Sequence, residues 1–273
     1  MAANKNTPRF EDVLRALRSL DAAVPTASLY ALSDPGPKEI DALERVWPEV
    51  PLNKRRGLIE DLSELAEANY EVEFTSIYRI GLEDEDAEVR RAAVQALWEA
   101  EDVTLMAPLI ELLDHDPDAE VRAAAASALG RFVYMGEVEE IQPAQLRRVE
   151  ETLLAVINGT DEAEVRRRAL EALAFSSRDE IPGLIQTAYD SPDQQFRVSA
   201  LFAMGRSADE RWSDIVLAET ANTDNELRFE AVRSAGELEL ERAVGPLQKL
   251  LKDPDLFDSQ LELIELSNPS SPL

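Results

Sequence analysis

Five stretches decide the fold: residues 84–98, DEDAEVRRAAVQALW; 116–130, DPDAEVRAAAASALG; 160–174, TDEAEVRRRALEALA; 191–205, SPDQQFRVSALFAMG; and 222–236, NTDNELRFEAVRSAG. Each places an arginine (Arg90, Arg122, Arg166, Arg197, Arg228) directly after an apolar residue (Val89, Val121, Val165, Phe196, Leu227). Successive arginines are 32, 44, 31 and 31 residues apart. A period of that size marks units too small to bury a core alone, which stack on their neighbours instead. An array of this kind offers an extended surface rather than a pocket.

Counting from the apolar residue as position zero, position +4 is Ala93, Ala125, Ala169, Ala200 and Ala231. Position +5 is Val94, Ala126, Leu170, Leu201 and Val232. Position +7 is Ala96, Ala128, Ala172, Ala203 and Ser234, and position +8 is Leu97, Leu129, Leu173, Met204 and Ala235. Apolar residues at 0, +4, +7 and +8 form one stripe of a 3.6-residue helix. Small side chains at +4 and +7 let helix backbones approach closely. Five residues before position zero stand Asp84, Asp116, Thr160, Ser191 and Asn222, all of the N-cap type. Two residues later comes an acid in every copy (Asp86, Asp118, Glu162, Asp193, Asp224), where the helix dipole favours it. Gly130, Gly205 and Gly236 read as helix stops.

A second helix precedes each turn, over 105–113, 149–157, 181–189, 212–219 and 244–251, three of them with a proline near the start (Pro108, Pro182, Pro246). This unit, with its Pro-Leu-x-x-Leu-Leu first helix and its Asp…Val-Arg-x-x-Ala second helix, resembles the HEAT-repeat family. The 31-residue spacing is similar to the subclass found in phycobilisome lyases. The resemblance covers about 84–253 and implies an all-α fold, a right-handed α-solenoid of stacked helix pairs. In such repeats the recurring acids and arginines form a ladder between neighbouring turns, here Asp86, Asp118, Asp193 and Asp224 with Arg90, Arg122, Arg166, Arg197 and Arg228. The fold alone does not name a function.

Residues 1–82 read as an N-terminal helical cap with degenerate repeats, helical over 10–20, 38–47, 54–66 and 72–82 with Pro35, Pro37, Pro48 and Pro51 between. Repeats fill 83–252. The 44-residue step inserts extra residues near 132–145, expected as an edge loop, with Phe132, Val133, Tyr134 and Met135 tucked against the third repeat. A capping helix is expected over 253–266 and a disordered tail over 267–273.

No cysteine is present, so disulfides and thiolate zinc sites are excluded. His115, the single histidine, lies in a turn, and no Ser-His-Asp set, Cys-His pair or Gly-rich phosphate loop exists. No catalytic residue, metal or cofactor is therefore expected. Acid pairs such as Glu139–Glu140 and Glu150–Glu151 read as solvated faces. No stretch reaches membrane-spanning length, and a cytoplasmic monomer is expected. Net charge is −27, and residues 1–60 are neutral with nine bases and nine acids, so the remaining chain carries all of it. Lys54, Arg55 and Arg56 form the one compact basic cluster. A field of this sign repels nucleic acid and anionic membrane and speeds encounter with basic proteins.

Positions +2 and +6 lie off the buried stripe and are expected to line the concave groove. In the first three repeats they are polar or small; in the last two they include Val198, Phe202 and Phe229. Large apolar residues at exposed columns mark a binding patch, here ringed by Arg167, Glu171, Arg206 and Arg233. Trp98 and Phe175, at +9 and +10, are expected to pack at helix ends. The leading reading is a non-catalytic acidic scaffold or adaptor that binds a protein partner in its groove. Two others stand beside it: a lyase-like, bilin- or tetrapyrrole-handling protein, implied by the resemblance alone, and an acidic mimic of nucleic acid occupying a basic protein.

Overall fold

A computed structural model describes residues 9–19 and 24–245, and all regular structure among them is helical. Two compact units divide the chain, Met1–Ala128 and Leu129–Leu273. The first holds α1 (Phe10–Arg18), α2 (Thr26–Leu29), α3 (Pro37–Val46), α4 (Leu52–Ala68), α5 (Thr75–Leu82), α6 (Ala87–Ala96), α7 (Met106–His115) and the start of α8 (Ala119–Glu137). The second holds α9 (Pro143–Asn158), α10 (Ala163–Leu173), α11 (Ile181–Tyr189), α12 (Gln194–Arg206), α13 (Ser213–Glu219) and α14 (Asn225–Glu237). Those expected elements that fall over 246–273 lie outside the described residues.

Stacking follows the column pattern. In the first unit α6 packs on α4 and α5; in the second, α10 packs on α9 and α12, and α14 packs on α12 and α13. The second helices α6, α10, α12 and α14 each meet a first helix and the second helix of a neighbouring repeat. The alanines at +4 (Ala93, Ala125, Ala169, Ala200, Ala231) are all at 0 % exposure, so any larger side chain there pushes two helices apart. Ser234 stands where the other repeats have alanine, fully buried, and its hydroxyl donates to the Leu201 carbonyl at 2.7 Å. That bond leaves no orphan donor in the core.

Helices begin two residues later than the cap-type column implied. Asp86, Asp118, Asp193 and Asp224 are the residues whose carboxylates accept first-turn amides, for example Val89 N to Asp86 at 3.2 Å and Leu227 N to Asp224 at 3.1 Å. Asp84, Asp116, Ser191 and Asn222 instead accept the cap residue's own N–H at 2.8–3.1 Å. The earlier column thus builds the turn and the later one starts the helix, a division of labour that cap propensity alone does not resolve.

The glycines are not stops. Gly130 lies inside α8, Gly205 and Gly236 lie inside the last turns of their helices, and no glycine has a positive φ. Gly205 serves close approach: a Cβ there would fall 2.8 Å from Ser234 Cα and 2.6 Å from a Glu237 carboxylate oxygen. Gly205→Ala is expected to cost about 1–3 kcal/mol by overpacking α12 on α14. Gly236→Ala, with open space around it, is expected to stabilise by about 0.5–1 kcal/mol through helix propensity. Urea unfolding of both variants checks the pair, and equal effects would remove the close-approach argument.

The left-handed residues after helix ends are Glu139, Ala208 and Glu239, with φ of 63, 49 and 51°. A side chain there costs about 1–2 kcal/mol. Ala208→Gly is accordingly expected to raise stability by about 0.5–1 kcal/mol, the relief being partly offset by glycine's unfolded-state entropy.

Two further departures from expectation concern the flanks. The inserted stretch is not a loop: residues 132–137 continue α8, 143–145 open α9, and only a short turn lies between. Phe132 and Val133 are buried, as the helical register requires, while Tyr134 is 40 % exposed. In the N-terminal region, Arg55 and Arg56 of α4 pair with Asp84 and Asp86 in the turn before α6. Lys54 occupies position zero of that helix, with Leu58, Ile59 and Leu62 buried at +4, +5 and +8. α4 thus repeats the second-helix pattern a sixth time.

Candidate partner-binding face

Two arginines of the first unit, Arg55 and Arg90, make ladder ion pairs with the turn acids. Arg90 donates from Nε and Nη2 to both oxygens of Asp116 at 2.6 and 2.8 Å, and from Nη1 to the carbonyls of Asp84 and Glu85. Arg55 repeats the contact one unit earlier, reaching both oxygens of Asp84 at 2.8 and 2.9 Å, while the Trp47 indole N–H donates to the same carboxylate at 2.6 Å. The partners are therefore the turn acids Asp84 and Asp116, two residues before the capping acids. Among the capping acids, Asp86 is also salt-bridged, to Arg56, which holds its carboxyl below the usual range.

Other arginines of the column also bond backbone carbonyls. Arg122 donates to the Asp116 carbonyl at 2.7 Å, Arg166 to Ile157 at 3.1 Å and Arg228 to Asn222 at 2.6 Å. Arg166 also lies 5.5 Å from the Phe196 ring centre, and the buried Arg197 Nε has no hydrogen-bond partner. These groups bind the turns to the helices.

The residues expected in the groove all lie in the second unit: Arg167 and Glu171 on α10, Val198, Phe202 and Arg206 on α12, and Phe229 and Arg233 on α14. Arg206 is exposed, Val198, Phe202, Phe229 and Arg233 are half-buried, and the Arg167 and Glu171 side chains are nearly buried, at 11 and 12 % exposure. Five of them fall into two contact groups. Arg167 donates to Ser199 Oγ at 3.2 Å, and Ser199 donates to Glu171 at 2.6 Å. The Phe202 ring lies 4.3 Å from the Arg233 guanidinium and 5.5 Å from that of Arg206. Val198 and Phe229 flank these groups at the same columns.

Carboxylates fix the guanidinium planes. Arg233 donates to Glu230 at 2.5–2.9 Å and to Glu237 at 2.6 Å, and Arg206 lies 3.3 Å from Glu237. Burial opposes the Arg233 charge, yet these carboxylates more than compensate and raise its pKa. Burial pushes the Glu230 carboxyl up, against the pull of Arg233. Arg167 is shifted down, by burial and then by the like charge of Arg168.

Column logic did not include Tyr134 and Phe175 in this face. Phe175 packs edge-on to Tyr134, with centroids 5.3 Å apart, and lies 5.7 Å from the Arg206 guanidinium; Arg131 covers Tyr134 at 5.7 Å. The result is a continuous run, Arg131–Tyr134–Phe175–Arg206–Phe202–Arg233, crossing α8, the turn that follows α10, α12 and α14. Arg131, Phe175 and Arg206 all occupy position +10, which was the available signal. Each such stack contributes about 0.5–1 kcal/mol at an exposed site, enough to hold the rings in place without hiding them. Trp98, by contrast, stays 39 % exposed at its helix end.

The arrangement offers flat, rigid, half-exposed apolar and cationic faces. His115 is exposed and lies 3.4 Å from Glu111, one helical turn away. Glu150 is buried, accepting from Ser176 and lying 3.7 Å from Arg178. Among the described residues no group of three or more metal-binding side chains gathers, and no helix is long and apolar enough to cross a membrane.

The family described as HEAT repeats matches residues 79–174 and 181–265, about two thirds of the chain. No curated protein matches. Among solved structures the chain is similar to a designed armadillo repeat protein, YIII(Dq)4CqI, at 17 % identity over 84 % of this chain and 100 % of that one, with a TM-score of 0.38. It is also similar to an engineered protein at 19 % identity, 84 % and 96 % coverage and a TM-score of 0.40. A second designed armadillo repeat protein, YIII(Dq.V1)4CPAF in complex with the peptide (KR)4, is 16 % identical over 85 % of this chain and all of that one, with a TM-score of 0.36.

Proposed function

The chain belongs to the HEAT-repeat family, and from that premise we propose that it is a non-catalytic scaffold that binds a protein partner across α10, α12 and α14. The observation that carries this reading is Phe202, half-exposed and held between Arg206 and Arg233, whose own orientations are set by Glu230 and Glu237. Aromatic and arginine side chains are the usual anchors of protein interfaces. Anchors already ordered in the free protein lose little conformational entropy on binding.

Val198 and Phe229 extend the apolar part of the patch, and Arg167 and Glu171, joined through the buried Ser199, brace the helices beneath it. The net charge of −27 favours a basic partner at low ionic strength, acting on encounter rate more than on final affinity. The 31-residue period supports placing these repeats in the short-period subclass similar to those of phycobilisome lyases.

Affinity capture from host lysate with the full chain, read by mass spectrometry, tests the proposal. The expected result is one protein retained above the bead control. Retention of nothing, or of nucleic acid alone, would overturn it.

A further inference from the structure

The charge excess rests on 55 acids against 28 bases, only five of them lysine. Its consequence depends on where the bases sit. Arg55, Arg90 and Arg233 are buried or half-buried, and each compensates carboxylates that are themselves shielded, Asp84, Asp116, and Glu230 with Glu237, although Arg55 also reaches the exposed Glu85. They do little for the outer surface.

That surface holds acids with no such partner. Glu83, Glu99, Glu139, Glu140, Glu239 and Glu241 are exposed, and none makes a side-chain hydrogen bond or ion pair among the described residues. Four of them adjoin an equally unpaired acid, Glu139 beside Glu140 and Glu239 two positions from Glu241. Backbone dimensions put such neighbours about 4–8 Å apart. The screening length is about 10 Å at 0.1 M salt and about 3 Å at 1 M. Ordinary salt therefore leaves this repulsion largely in place, and only molar salt removes it.

Two groups act with other signs or hardly at all. Exposed pairs such as Arg15–Asp12 and Arg242–Asp214 weaken as salt rises, but surface pairs contribute little to stability. The buried pairs Arg55–Asp84 and Arg90–Asp116, with side-chain exposures of 11 % or less, are screened far less. The sum favours the folded state as salt increases.

We infer that this chain is built to fold and bind in concentrated monovalent salt, its surface carboxylates relying on a dense cation atmosphere rather than on lysine. The inference stands apart from the proposed function and has a consequence for it. In molar salt, charge no longer steers encounter, and partner choice rests on contacts at Phe202, Phe229 and their arginines.

Thermal unfolding of the full chain in KCl from about 0.1 M to about 2 M provides the test. The expected result is a Tm rise of at least about 10 °C. A variant with Glu83, Glu99, Glu139, Glu140, Glu239 and Glu241 all changed to glutamine is expected to start higher at low salt and to rise less. Potassium chloride is chosen because it is excluded from protein surfaces less than sulfate or phosphate. A flat or falling Tm in the wild type overturns the inference, as does an identical slope in the glutamine variant.

Discussion

Arg90→Ala is expected to destabilise the first unit by about 3–5 kcal/mol, the range measured when one partner of a buried ion pair is removed. Asp116 is the reason. Its side chain is 3 % exposed, both oxygens accept from Arg90, and one also accepts the Asp118 N–H. Without Arg90 that carboxylate stays out of water with one weak donor for compensation. The Asp84 and Glu85 carbonyls lose their donor as well.

The double change Arg90→Met with Asp116→Asn separates charge from shape. It removes the stranded charge and keeps an acceptor for the Asp118 N–H, so it is expected to recover at least half of the loss. Urea unfolding followed by circular dichroism reads both variants. A loss below about 1 kcal/mol for Arg90→Ala would place this pair with ordinary surface bridges and remove the ladder as a source of stacking stability.

The second large effect concerns binding. Phe202→Asp combined with Phe229→Asp is expected to weaken the partner complex at least about 100-fold, since hot-spot residues each contribute about 2 kcal/mol or more. Folding is expected to survive, because both rings are half-buried at positions off the +0, +4, +7 and +8 stripe. Arg206 and Arg233, no longer stacked on Phe202, would have the new carboxylate within reach. An unfolded double variant would make these rings core, and tight binding by a folded one would place the interface elsewhere.

Much of the fold was legible because the repeat is written in packing residues. The alanines at +4 are buried to 0 % in every copy, and the five arginine helices form where the stripe places them. The sixth copy was hidden because Lys54 stands at position zero and Leu58 in the alanine column. Its aliphatic stripe nevertheless keeps the register, and Arg55 pairs with the next turn's acid as Arg90 does, though through Nη1 alone. The cap column was misplaced by two residues because aspartate and asparagine serve turns and N-caps alike.

The candidate face was legible in part. Columns +2 and +6 found Phe202 and Arg233 but not Tyr134 or Phe175. Those two depend on α8 running on to Glu137, whereas the 44-residue step had marked 132–145 as an inserted edge loop. Side-chain stacking across three helices and a turn is a tertiary fact that a one-helix periodicity cannot contain. Nor does a column show that Arg233 bonds Glu230 and Glu237, which is what fixes its plane against Phe202.

Hydrogen exchange of the full chain with and without its captured partner tests the central claim most directly. The account predicts new protection concentrated in residues 194–206 and 225–237, the helices carrying Phe202 and Phe229. Protection confined to the first unit or to the acidic turns, with those two helices unchanged, would contradict it.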